Sequence, residues 1–203
     1  MMRLLVGMSG ASGAVYGIRL LEVLRELSEL ETHLVLTPAA RQTISLETGR
    51  DPTEIEELAD VVYRYRDIAA APSSGSFRLD AMVVVPCSVK TVSAIAHSLS
   101  DNLLVRAADV TLKERRPLIV VPRETPLHLG HLRSMVQLAE MGAVIAPPMP
   151  AFYHQPESIE DIVDQTVGKL IDLLGLEVPG DLFRRWRGGQ AAARESRFGF
   201  LDD

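Results

Sequence analysis

The stretch LLVGMSGASG, Leu4 to Gly13, constrains the fold of this chain more than any other. Leu4, Leu5, Val6 and Met8 form a short apolar run, which reads as a strand buried on both faces at the centre of a parallel sheet. The run breaks into SGASG, and helical periodicity begins immediately after it. A strand, a tight Gly/Ser turn and a helix, in that order, set backbone N–H groups and a helix N-terminus in one place, where an anion is stabilised. Ser9 and Ser12 add hydroxyls that can donate to the same guest. The spacing of Gly7, Gly10 and Gly13 is G-x-x-G-x-x-G, neither the dinucleotide fingerprint nor the triphosphatase loop. A purely conformational use of these glycines, for turn and helix packing, is the competing reading.

The rest of the chain repeats the same alternation. Ala14 to Leu30 reads as a helix with Val15, Ile18, Leu21, Leu24 and Leu27 inward, and Thr32 to Thr37 as the second strand. That strand ends on a neutral, hydroxyl-bearing residue rather than the acid that would hold a dinucleotide's ribose, so a mononucleotide such as FMN fits better than NAD. Pro38 opens a helix carrying Glu47 and stopping at Gly49. A short acidic helix over Asp51 to Ala59 and a third strand over Val61 to Tyr65 follow. Asp67 to Phe77 is a small-residue loop whose Ser73-Ser74-Gly75-Ser76 can form a nest of N–H donors, a plain surface loop being the alternative.

Asp80 to Pro86 is a buried strand running into Cys87-Ser88 and a helix from Val89. Leu103 to Arg115 is a helix with Arg106, Asp109 and Lys113 broadly on one face, which by spacing alone is an exposed charged stripe. Pro117 to Val121 is a strand ending near Arg123 and Glu124, and Leu129 to Met141 a helix with Leu132, Val136 and Ala139 expected inward. A last strand, AVIAP, leads through the stiff PPMPAFYHQP segment to a helix capped by Ser158 and Asp161 and ended by Gly175. Its expected buried stripe is Ile159, Ile162, Val163, Val167, Leu170, Ile171 and Leu174.

This alternation predicts an α/β fold, a Rossmann-like or flavodoxin-like three-layer sandwich with a central parallel sheet. Residues 1–175 make the domain and 176–203 a tail, partly disordered. Leu182, Phe183 and Trp186 in that tail read as packing on a neighbouring subunit, with a local satellite cluster as the alternative. Parallel strands would gather Ser9, Gly10, Ser12, Thr37, Cys87, Ser88, Arg123 and Glu124 at one edge.

Composition narrows the partners. A net charge of −6 without a basic stripe argues against nucleic acid, and no apolar run is long enough to span a bilayer. No charged segment followed by a long apolar one suggests a secretory signal, and a single cysteine excludes an intrachain disulfide framework, so a cytoplasmic setting is expected. His128 and His131 are three apart but lack an obvious third ligand, so no metal site is expected. Cys87, among valines, reads as a buried small hydrophobe.

The segments GMSGASGAVYGIRLL, SSGSFRLDAMVVVPCSVKT, DNLLVRAADVTLKERRPLIVVPRETPLH and GAVIAPPMPAFYHQP occur in that order, and together the chain resembles the UbiX/Pad1 family of flavin prenyltransferases. The resemblance covers about residues 3–175 and, more loosely, the region of Trp186. It implies metal-independent transfer of the dimethylallyl group of dimethylallyl phosphate to N5 and C6 of reduced FMN, giving prenylated FMN for a separate UbiD-type decarboxylase. It implies FMN binding by Gly10, Ala11, Ser12, Thr37, Ser88 and Arg123, with Thr37 where the family often has serine. It implies donor binding by Ser74, Gly75, Arg106, Lys113, Tyr153, Lys169 and Trp186, with acid–base work by Glu47 and Glu124 and a proton relay through Ser12. Lys169 stands where other members can have arginine, keeping charge but losing the bidentate fork. The family also implies a homo-oligomer, commonly a dodecamer built from trimers. Two other readings compete: an FMN-dependent oxidative decarboxylase of a cysteine-derived carboxylate, and a non-catalytic FMN-binding scaffold. The first uses a histidine base, and this chain has no histidine between His33 and His97.

Overall fold

A computed structural model describes residues 1–186 and Gly188. Six strands form one parallel sheet: β1 (Met2–Met8), β2 (Leu30–Leu36), β3 (Val61–Tyr63), β4 (Ala81–Cys87), β5 (Leu118–Pro122) and β6 (Val144–Ile145). Their order is β3-β2-β1-β4-β5-β6, so β1 lies centrally, flanked by β2 and β4. The helices are α1 (Ala14–Leu24), α2 (Pro38–Thr48), α3 (Pro52–Glu56), α4 (Val89–Ala96), α5 (Leu103–Lys113), α6 (Leu129–Glu140) and α7 (Ile159–Leu174). This is the three-layer sandwich expected of the strand–helix alternation.

The pleat divides the core into two layers. Leu4, Val6 and Met8 of β1, with Val83 and Val85 of β4, face α1, α2, α3 and α7. Leu5, Met82 and Val84 face the opposite way, against α4, α5 and α6. Every residue of β4 is buried, which is why its apolar run is continuous rather than alternating. Gly17 lets α1 lie hard against the sheet: a Cβ there would stand 2.5 Å from the carbonyl oxygen of Val85.

Several expected core faces differ. α1 ends at Leu24 rather than Leu30, and Val15 on its outer face is exposed. On α6 the expected inward residues Leu132, Val136 and Ala139 are exposed, while Ser134 and Leu138 are buried. Ile159 at the start of α7 is exposed as well, whereas Val163, Val167, Leu170, Ile171 and Leu174 are buried as expected. In each case apolar spacing located the helix but not which of its stripes met the core, because a second apolar face lies open on the surface. The capping box of Ser158 and Asp161 and the left-handed Gly49 and Gly175 stops are present as read. Beyond α7, Leu182 packs on the core of its own chain and Phe183 lies on Gly168, while Trp186 is exposed. Residues 189–203 lie outside the described residues.

Candidate active site at the carboxyl edge of the sheet

Four strands, β1, β2, β4 and β5, deliver their carboxyl ends to one edge, where the backbone ties them together. Thr37 N–H donates to Met8 O (3.0 Å), Ser9 N–H to Pro86 O (3.1 Å) and Arg123 N–H to Cys87 O (3.1 Å). Ser9 is buried and structural: its hydroxyl donates to Pro86 O (3.2 Å) and accepts from Ser88 N–H (2.7 Å), so it is not the ligand donor expected from the sequence. Three helices start at this edge: α1 after the left-handed Gly13, α2 on Thr37 and α4 on Ser88. Their N-termini bring positive dipole ends and unpaired N–H groups to a common crevice. Gly10 is required there by a close approach, since a Cβ would lie 2.3 Å from that of Ala39.

The cap oxygens leave useful protons. Thr37 Oγ1 accepts from Ala40 N–H (3.0 Å), so its hydroxyl proton is available to a guest. Ser88 Oγ accepts from Thr91 N–H and its hydroxyl is 3.1 Å from Thr91 Oγ1, a short chain into buried Thr91 that sequence reasoning missed. Cys87 is fully buried, and burial pushes its thiol far above the usual cysteine range, in keeping with the packing reading.

Glu47 holds a position no local pattern revealed. Its carboxylate accepts from Gly13 N–H (2.9 Å) and Ala14 N–H (2.9 Å), capping α1 from α2. Burial pushes its carboxyl up, but the Ser12 hydroxyl, the two N–H groups and the positive charge of Arg123 outweigh that and hold it below the usual carboxylate range. The N-terminus of α1 therefore already carries an anion, and Ser12, Glu47 and Arg123 form one constellation. Tyr16 sits in the same field, its phenol raised by burial against the opposing influence of Arg123. Glu124 is exposed, and its carboxylate accepts from Thr125 N–H (3.0 Å).

The residues assigned to the donor fall into two groups. On one face of the sheet, Arg106 Nε donates to Ser73 O (3.1 Å), and Lys113 pairs with Glu114 directly beside Gly75. Gly75 is needed for that approach, since a Cβ would stand 2.1 Å from Glu114 Oε1 and 2.8 Å from Lys113 Nζ. Arg116, absent from the sequence reading, donates to Gly75 O (2.8 Å) and Phe77 O (2.9 Å). Beyond the opposite face, Tyr153 meets Trp186 edge-on at 5.8 Å, and Lys169 follows Gly168, on which Phe183 rests. Because α5 belongs to one core layer and α7 to the other, the sheet separates Arg106 and Lys113 from Lys169 within a single chain. The strand ends gather Ser9, Gly10, Ser12, Thr37, Cys87, Ser88, Arg123 and Glu124 at one edge as expected, whereas the donor residues come from elements on the two sides of the sheet.

A parallel α/β sandwich whose helix N-termini converge on hydroxyls, an arginine and a capped carboxylate at the switch between β1 and β4 defines a mononucleotide-binding flavoprotein. The Flavoprotein family model matches residues 1–171. The Escherichia coli flavin prenyltransferase UbiX is 61% identical over 188 residues, 93% of this chain and 100% of that one. The Thauera aromatica flavin prenyltransferase UbiX is 53% identical over 93% of this chain and 96% of that one. The chain belongs to the UbiX family of flavin prenyltransferases. Among solved structures, AnUbiX in complex with FMN and dimethylallyl pyrophosphate superposes with a TM-score of 0.88 at 51% identity, covering 92% of this chain and 98% of that one. A dodecameric FMN-dependent UbiX-like decarboxylase from Escherichia coli gives 0.88 at 49%, covering 92% and 100%. The peptidyl-cysteine decarboxylase EpiD shares only the fold, at 14% identity and a TM-score of 0.60 over 86% of this chain and 99% of that one. Among the described residues no group of three or more His, Cys, Asp or Glu side chains is placed to hold a metal, and no helix is long and apolar enough to cross a membrane.

Proposed function

We propose that this chain joins the dimethylallyl group of dimethylallyl phosphate to N5 and C6 of reduced FMN, releasing phosphate, and that a UbiD-type decarboxylase uses the prenylated product. The observation that carries this reading is the constellation of Ser12, Glu47 and Arg123 where three helices begin. The residues present suit FMN. The N–H groups of Gly10 and Ser12 have no partner among the described residues, the Thr37 hydroxyl proton is available, and the Ser88–Thr91 pair lies at the start of α4. Gly10, Ala11, Ser12, Thr37, Ser88 and Arg123 would hold the flavin there. Reduced FMN supplies the nucleophilic atoms to which the allyl group is joined.

The protein's part is positioning and proton transfer. Glu47, held ionised, is a base for the proton lost at N5, and the neighbouring Ser12 hydroxyl links that carboxylate to the departing phosphate. Glu124, one residue beyond Arg123, serves the proton lost at C6, and Arg123 stabilises charge developing on the leaving group. The donor phosphate is held by Ser74, Gly75, Arg106 and Lys113 from one copy and by Tyr153, Lys169 and Trp186 from another, because the sheet keeps these groups apart in a single chain. A closed homo-oligomer supplies the missing half of each site, and a dodecamer is the assembly we propose. The exposed Leu129, Leu132 and Val136 of α6 offer apolar surface for such contacts.

The test is anaerobic incubation of the protein with reduced FMN and dimethylallyl phosphate, followed by mass analysis of the flavin. A gain of one C5H8 unit is expected; unchanged FMN beside intact donor would reject the assignment.

A further inference from the structure

We propose that Arg116 is a positioning residue that shapes the Ser73–Phe77 loop into a receptor for the donor phosphate, an inference that rests on the assignment of Ser74 and Gly75 to that phosphate. The loop has to present N–H and O–H groups to an anion while keeping its own carbonyl oxygens, each a partial negative charge, turned away. The structure shows how this is done. Ser73 O accepts from Arg106 Nε (3.1 Å), Ser74 O from Phe77 N–H (3.2 Å), and Gly75 O from the Arg116 guanidinium (2.8 Å). Phe77 O accepts from the other arm of the same guanidinium (2.9 Å). The Gly75 N–H has no partner among the described residues, and the Ser74 and Ser76 hydroxyls lie 2.9 Å apart. Lys113 stands over the same glycine. Three of these carbonyls are thus held by guanidinium groups and Ser74 O by a loop amide, while the Gly75 N–H, one proton of the Ser74–Ser76 hydroxyl pair and the Lys113 ammonium, which also pairs with Glu114, remain as donors for a phosphate.

Arg116 reaches this place because of how α5 ends. Arg115 adopts a left-handed conformation (φ 56°), its N–H donates to Leu112 O (2.9 Å), and Arg116 N–H donates to Thr111 O (2.9 Å). These two bonds close the helix in a Schellman arrangement and fix where the next side chain leaves the backbone. A planar guanidinium spans two carbonyls two residues apart, whereas an ammonium satisfies them one at a time.

The test compares Arg116→Ala and Arg116→Lys with the parent, using dimethylallyl phosphate and reduced FMN under anaerobic conditions, with amide hydrogen exchange of residues 73–77 followed separately. Arg116→Ala should raise KM for the donor about tenfold, with kcat within about threefold of the parent and FMN affinity unchanged. Arg116→Lys should show a smaller rise, about threefold, because charge without the fork restores only part of the geometry. Exchange at 73–77 should quicken in both variants. An unchanged KM and unchanged exchange in Arg116→Ala would overturn the proposal. So would a lysine variant indistinguishable from the parent beside an impaired alanine variant, since charge alone would then suffice. Quickened exchange with an unchanged KM would instead remove the loop from the donor site. That outcome overturns the underlying assignment while leaving the clamp itself in place.

Discussion

Replacing Glu47 with glutamine removes one negative charge from the start of α1 and leaves a side-chain oxygen able to accept from Gly13 or Ala14. In the parent the carboxylate takes both N–H groups at 2.9 Å. A charge at a helix N-terminus contributes about 0.3–1 kcal/mol at exposed positions and up to about 2 kcal/mol when partly buried. The Glu47 side chain is exposed, so solvent screening places the loss at the lower end, about 0.5–1 kcal/mol. For a chain of this size that lowers Tm by roughly 1–4 °C at neutral pH, with protein concentration held fixed because assembly also contributes. The pH dependence has a definite sign. The folded carboxyl titrates below its ordinary value of 4.5, so its contribution is fully present above that value and is lost as pH falls through the folded pKa. The glutamine variant has no such group, and the gap between the two melting curves should close on acidification below about pH 4.5. Thermal melts followed by circular dichroism from pH 7.5 down to pH 3.5 measure this directly. A variant that melts with the parent at neutral pH, or a gap that persists unchanged under acid, would refute the capping argument.

Two further substitutions separate site from scaffold. Gly75→Ala should leave Tm within about 1 °C, because the atoms it meets are the ends of the flexible Glu114 and Lys113 side chains, yet it should raise the donor KM several-fold by displacing Lys113; a large fall in Tm would contradict this. Arg115→Gly should raise Tm by roughly 1–4 °C, since glycine relieves about 0.5–1 kcal/mol of left-handed strain at φ 56°, and a lowered Tm in the same melt would show the strain to be compensated.

The strand framework was legible because β1 and β4 are buried on both faces and so read as continuous apolar runs. The cap at Ser158 was legible for a similar reason, since its geometry depends only on a neighbour three residues away, whereas Thr37 and Ser88 emerge as caps only in the structure. What lay beyond local pattern was which of two apolar stripes faces inward. Leu132 and Val136 have the spacing of core residues, and only the burial of Ser134 and Leu138 on the other side of the helix shows them to be outside. Glu47 reads as a helix-surface acid until the fold brings α2 beside α1 and places it across 34 residues from Gly13. Arg116 was invisible for the same reason, as its partners lie 39 and 41 residues away. The resemblance supplied roles for Lys113 and Lys169, and the structure adds that they stand on opposite sides of a sheet.

That separation has a consequence for inheritance and for engineering alike. If each reaction centre borrows its cations from next door, a chain with a defective α5 keeps its own flavin pocket intact and spoils the work of an adjacent molecule. Ownership of the chemistry then lies with the boundary between copies, and a single gene can lose function through a residue that never meets the flavin bound to its own product.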